Sequence, residues 1–145
     1  MITYNKGNIF ESDTEALVNT VNTQGVMGKG LALQFKQAYP HNYSLCRKVC
    51  LEGEVCVGKM FVTQDTDVIR GSRYIINFPT KQQWRKPSQY NYIQEGLVSL
   101  RQTIVDLGIR SIAVPPLGSS NGGLDWNLVK PMIVSALNDL DCKVV

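Results

Sequence analysis

Along this chain, blocks with the alternation of a half-buried strand give way to blocks with the three- and four-residue spacing of an amphipathic helix. "MITYN" reads as a first strand, ended by Lys6-Gly7-Asn8, and "ALVNTVN" (16–22) as a second that opens on buried Ala16, Leu17 and Val18. Residues 30–38 read as a helix with Leu31, Leu33 and Phe35 among its apolar positions, and 41–51 as another, entered after Pro40 and stopped near Gly53. "KMFVTQD" (59–65) and "RYIINFP" (73–79) read as strands joined by the polar stretch around Arg70-Gly71-Ser72. The clearest helix spans about 89–107. Ile93, Leu97, Leu100, Ile104 and Leu107 make one buried face, Ser88 is the candidate N-cap and Gly108 the stop. "SIAVPPL" (111–117) is a short strand ended by Pro115 and Pro116. A last helix starts near 125–127 and reaches about Leu140, with Pro131 arguing for a late start or an irregular first turn. "CKVV" is a final strand whose abrupt end reads as a domain excised from a longer chain. This alternation predicts an α/β fold.

The 145 residues suffice for one domain with a sizeable core, and 43% hydrophobic and 19% charged residues are ordinary for a globular protein. No run of eighteen apolar residues and no secretory leader occur, so a soluble, cytoplasmic protein without a membrane partner is expected. A net charge of +3 permits a nucleic-acid partner without demanding one. Cys46 and Cys50 have a C-x₃-C spacing that places them on one side of a helix, and no second pair joins them. Buried free thiols are expected for Cys46, Cys50, Cys56 and Cys142, with no metal site.

Two glycine-bearing loops follow strands. In "TQGVMGKGLALQF" (23–35) the spacing is Gly25-x-x-Gly28-x-Gly30. It is no Walker loop, because Thr23 stands where the first glycine belongs and Gly30 where a hydroxyl should bind magnesium. It is no dinucleotide fingerprint either. The physical idea survives: glycines admit close backbone approach, and a helix N-terminus offers unpaired N–H groups to an anion. The second loop is "PPLGSSNGGLDW" (115–126). Across a crevice at the carboxyl ends of strands, two such loops and two helix N-termini can hold a diphosphate. A third segment, "NFPTKQQWRKPS" (77–88), sets Lys81, Arg85 and Lys86 around Trp84. That interleaving suits a single nucleic-acid strand, although by itself it reads more readily as a solvated loop with one aromatic tucked onto the core.

"GNIFESDTEALVNTVNTQGVMGKGLALQF", "NFPTK", "PPLG" and "GGLDW" together resemble the macrodomain, and more closely the macrodomain of the DarG family, the DNA ADP-ribosyl glycohydrolase antitoxins of DarT–DarG toxin–antitoxin systems. The resemblance covers residues 1–145. It implies a three-layer α/β/α sandwich with a mixed six-stranded sheet and an ADP-ribose cleft at one end. It also implies a bacterial hydrolase, without cofactor, that removes ADP-ribose from a thymine or guanine of single-stranded DNA and so reverses a DNA ADP-ribosyltransferase toxin. The family's C-terminal region, which sequesters that toxin, is expected to be absent here.

The resemblance assigns roles by position. Asn8 stands where most macrodomains have an aspartate that accepts from the adenine amine, and Ile9 offers its backbone beside it. Asn22 matches the residue that contacts the distal ribose. Gly28, Lys29, Gly30 and Leu31 match the turn around the distal ribose and phosphates, with Lys29 a charge at the rim. Leu117, Gly118, Ser119, Ser120, Asn121, Gly122, Gly123 and Leu124 match the second ligand loop. Lys81 matches the catalytic lysine, and Trp84, Arg85 and Lys86 would hold the DNA. As an ammonium, Lys81 would stabilise or protonate the departing base. As a neutral amine, favoured by desolvation or by a cation such as Lys29, it would attack the anomeric carbon. The second loop departs from the family at three positions. Gly118-Ser119-Ser120 replaces Gly-Cys-Gly, and Gly122 stands where the human relative has an aspartate, Asp125 being the better helix cap. A non-catalytic ADP-ribose reader and a hydrolase of ADP-ribosylated protein glutamate are the competing expectations.

Overall fold

The computed structural model describes residues 2–4, 7–28, 30–67, 69–83, 85–119, 122–140 and 143–144. After a 3-10 turn at Ile9–Glu11 come β1 (Ala16–Asn22), α1 (Gly30–Ala38), α2 (Pro40–Leu51), β2 (Phe61–Asp67), β3 (Gly71–Lys81), α3 (Tyr90–Leu107), β4 (Ser111–Ala113), α4 (Trp126–Leu137) and β5 (Lys143–Val144). The sheet is mixed, in the order β2-β3-β1-β4-β5. β1 runs parallel to β3 and β4, β4 parallel to β5, and β2 antiparallel to β3.

The described residues give five strands against the six expected. Ile2 makes a single bridge, Thr3 and Tyr4 are not in a strand, and Met1 and Asn5 lie outside the described residues, as does Cys142 of "CKVV". β2 sits two residues later than its pattern suggested. β3 runs two residues further at both ends, through Pro79 to Lys81. Its partner β2 stops opposite Asn77, so on that side Pro79 has no strand to which it would have to donate. β4 is only Ser111–Ala113, because Pro115 and Pro116 can donate nothing to a ladder.

Layering follows from burial on both faces of the central strands. Ile75–Thr80 of β3 and Ala16–Asn19 of β1 are buried without interruption, as parallel strands covered by helices must be. Ala16, Val18, Ile76 and Phe78 point to the layer of α3 and α4, where they meet Ile93, Leu97, Val129 and Ile133. Leu17 and Ile75 point the other way, to Phe35 and Tyr39 of the α1–α2 layer. The three-layer α/β/α sandwich is therefore present. Polar contacts fix α2: Asn42 and Asn77 exchange side-chain bonds of 2.8 and 3.1 Å, and Thr63 donates to Asn42 at 2.6 Å.

Two helix boundaries differ from the sequence pattern, the start of α3 and the end of α4. The N-cap of α3 is Gln89, whose side chain makes no cap bond, because Ser88 is buried and turned inward. α4 starts at Trp126, carries Pro131 in its sixth position and ends at Leu137, short of Leu140. Gly108 stops α3 as expected, in the left-handed conformation at φ 64°. Among the thiols, Cys46 and Cys50 are buried, but Cys56 is exposed, contrary to expectation, since it lies in the turn after α2 rather than on a helix.

Gly96, in the middle of α3, shows how closely that helix approaches β3. A Cβ there would lie 2.4 Å from two ring carbons of fully buried Phe78. Gly96→Ala should therefore lower stability by about 1–3 kcal/mol through overpacking, read from urea unfolding.

Candidate active site

The carboxyl ends of β1, β3 and β4 open on a cleft of about 2080 Å³. Asn8 and Ile9 stand on one wall. Asn22, Gly28 and Leu31 come from the first glycine loop and α1, Lys81 from β3, and Gly118, Ser119 and Gly122 from the second glycine loop. The fold thus collects one site from four segments far apart in sequence.

Register brings Lys81 to the cleft. Val21 pairs with Pro79 but Asn22 with Lys81, so Thr80 is the extra residue of a bulge. Immediately beyond, the Thr23 amide donates to the Lys81 carbonyl (3.1 Å) and the Thr23 hydroxyl to the Gln82 carbonyl (2.7 Å). The backbone of Lys81 and Gln82 is held at both residues just where the ladder ends.

The Asn22 side chain organises the first loop from within. Its Oδ1 accepts from the Gln24 and Val26 amides (3.0 and 3.2 Å), and its Nδ2 donates to the Val26 carbonyl (3.0 Å). One amide hydrogen is outside these bonds. Gly25, at φ 75°, lets the loop lie against α2; a Cβ would come within 3.1 Å of Arg47 Cδ and Cys50 Cβ. Arg47 donates to the Gln24 carbonyl (2.7 Å) and the Cys50 thiol to the Asn22 carbonyl (3.9 Å). A bond between the two thiols pushes Cys46 up and draws Cys50 below its ordinary value, and the Arg47 charge adds to the second effect.

Asn8 caps the Ile9–Glu11 turn: its Oδ1 accepts from Phe10 N at 2.9 Å, which fixes the side chain and engages one lone pair. Arg73 holds this wall from below, donating to the carbonyls of Ser12 (2.7 Å) and Thr14 (2.8 Å). Arg70 grips Asp13 at 2.8 Å, and the Ile69 and Arg70 amides hold the Asp67 carboxyl below its usual range.

The second loop closes on itself. Leu124 N donates to Gly118 O (2.9 Å), Ser88 N to Gly122 O (3.0 Å) and Ser119 Oγ to Leu117 O (3.2 Å). The Ser119 hydroxyl is thereby drawn back into its own loop. At Gly122 a Cβ would lie 2.4 Å from Gly118 O and 2.6 Å from Ser88 Oγ, so this backbone leaves no room for an acid there. Asp125 accepts from Asn127 N at 2.9 Å and caps α4. The positive end of α4 is thus already met by a carboxylate, contrary to the expectation that both helix N-termini serve a diphosphate.

Not every expected residue borders the cleft. Leu117 is fully buried in the core on the α3–α4 side, half-buried Leu124 packs against that core, and Gly30 and Gly123 lie outside the lining. Arg85 and Lys86 are exposed on the turn after Lys81. Lys29, Trp84, Ser120 and Asn121 lie outside the described residues. Pattern reasoning missed Thr23, Thr20, Trp126 and Lys130; the last three line the cleft. Thr20 sits two residues before Asn22, on the same face of β1, which was the available signal. Among the described residues no group of His, Cys, Asp or Glu is arranged to hold a metal ion, and no helix is long and apolar enough to cross a membrane.

A family model described as "Macro domain" matches residues 18–133. A DNA ADP-ribosyl glycohydrolase of Mycobacterium tuberculosis (strain ATCC 25618 / H37Rv) is 56% identical over 140 residues, 97% of this chain and 40% of that protein. The chain spans about 40% of the length of the curated relatives it matches first. Among solved structures, the macrodomain of Mycobacterium tuberculosis DarG matches with a TM-score of 0.96 at 53% identity, covering 100% of this chain and 95% of that one. Thermosipho africanus DarTG in complex with ADP-ribose matches at 0.89 and 33%, covering 95% of this chain and 39% of that one. The chain belongs to the macrodomain family, and within it to the DarG macrodomains.

Proposed function

We propose that this domain hydrolyses the bond between ADP-ribose and a base of single-stranded DNA, thymine or guanine, and so reverses the action of a DNA ADP-ribosyltransferase toxin. The observation that carries the reading is the clamped position of Lys81 at the cleft, opposite Asn22, in a chain 53% identical to a DarG macrodomain. The cleft, about 2080 Å³, has room for ADP-ribose. ADP-ribose lies with its adenine toward Asn8 and Ile9, its diphosphate between the two glycine loops, and its distal ribose at Asn22 and Lys81. Lys81, as an ammonium, stabilises the negative charge on the departing base while water adds to the anomeric carbon. Arg85 and Lys86 hold phosphates of the attached strand.

The competing reading, an ADP-ribose reader without turnover, draws on one observation: Gly122 has no room for the acid that would partner the lysine. Release of free ADP-ribose from a modified oligonucleotide separates the two. Lys81→Ala should slow that release by about 10²–10⁴-fold while calorimetry still detects ADP-ribose binding; a wild-type rate would remove Lys81 from the mechanism. Thr23→Val should lower kcat roughly tenfold with the ADP-ribose Kd unchanged, and Thr23→Ser should restore it, because only the hydroxyl that fixes Gln82 is at stake. Gly122→Ala should weaken ADP-ribose binding at least about tenfold, since its Cβ must push the Gly118 carbonyl out of the loop.

A further inference from the structure

The two longest stretches of the chain without any of the 12 acidic residues are 16–51 and 68–94. The first carries Lys29, Lys36, Arg47 and Lys48, the second Arg70, Arg73, Lys81, Arg85 and Lys86. Folding joins the two. β1 pairs along β3, Thr23 binds the carbonyls of Lys81 and Gln82, and the next residue, Gln24, accepts from Arg47 at 2.7 Å. Arg47 thus stands one short loop from Lys81.

A groove of about 460 Å³ lies on the outer face of α2 beside Arg47, between Tyr43, Lys48 and Leu51, with Glu52 also in its lining. The Lys36 ammonium sits 4.7 Å from the centre of the Tyr43 ring. Among the described residues Lys36, Arg47 and Lys48 enter no ion pair, whereas Arg70, Arg73 and Arg101 are each matched to an aspartate. Leu51, 70% exposed, gives the groove an apolar end. Lys36 and Lys48 serve neither the core nor the cleft, and with Arg47 they set three cations against the single carboxylate of Glu52, a surface complementary to a polyanion.

We propose that this groove on α2 holds the phosphodiester backbone of single-stranded DNA on one side of the modified nucleotide, with Lys36, Arg47 and Lys48 meeting phosphates. The exposed turn at Arg85 and Lys86 takes the strand on the other side. The proposal rests on the glycohydrolase reading: a base bound at Lys81 obliges its flanking nucleotides to leave the cleft there, between the two basic surfaces. Bases near Leu51 make apolar contact without hydrogen-bond readout, so the grip is insensitive to sequence.

The test uses the double variant Lys36→Gln/Lys48→Gln, with Arg47 kept because it braces the first loop. Fluorescence anisotropy of an unmodified oligothymidylate between about 50 and 200 mM salt should show a log–log slope shallower by about 1.4 and an affinity at low salt about tenfold weaker. With an ADP-ribosylated oligonucleotide, KM should rise about tenfold at low salt with kcat unchanged. The Kd for free ADP-ribose should stay at the wild-type value, which establishes folding, and Arg110→Gln, at the opposite end of the sheet, should change none of these. A wild-type slope and KM in the double variant overturn the groove and leave the hydrolase reading intact. Absence of ADP-ribose release by the wild type, together with the expected loss of oligothymidylate binding, overturns the hydrolase reading and upholds the groove. Unchanged DNA binding with lost affinity for a cognate transferase toxin assigns the surface to protein and overturns the proposal.

Discussion

The parallel ladder between β1 and β3, and the way it ends, governs the rest of this molecule. Six residues of β1, 16–21, face β3 in register until one extra residue, Thr80, breaks the pairing between Val21 and Asn22. Had the ladder continued unbulged, Lys81 would sit one register position away, on the opposite face of the sheet. Thr23 closes the break with two hydrogen bonds to the backbone of β3 and the residue after it. A single backbone irregularity therefore sets the lysine, the asparagine opposite it and the start of the glycine loop.

The surroundings stiffen that arrangement. On one face Phe78 is pressed by Gly96 of α3; on the other Asn77 is bonded to Asn42 of α2. The same α2 braces the first loop through Arg47 and Cys50. Rigidity in the sheet is thereby passed to loops whose glycines would otherwise leave them loose. The second loop reaches the same end differently, by closing on its own carbonyls. Its tightness at Gly122 excludes the side chain that would have given Lys81 an acidic partner.

Charge follows topology. The two longest acid-free stretches of sequence meet at the carboxyl ends of β1 and β3, which brings Arg47 near Lys81. Acids such as Asp67 and Asp139 lie elsewhere, spent on arginines that fasten the hairpin and α4. A net charge of +3 says little about partners, whereas its segregation says more.

The sequence by itself determined the alternation of strands and helices, the faces they bury, the two glycine loops and the lysine between them, because each of these is written in local periodicity or turn chemistry. It also carried enough separate motifs to mark the family. Only the tertiary structure decided that Ser88 supports the second loop instead of capping α3, that Leu117 belongs to the core, and that Asp125 takes the positive end of α4. These depend on which segments lie side by side. Nothing within a few residues of Thr23 in the chain announces that it will clamp Lys81, 58 positions later, because the register of β1 against β3 is a property of the folded sheet and not of either strand alone.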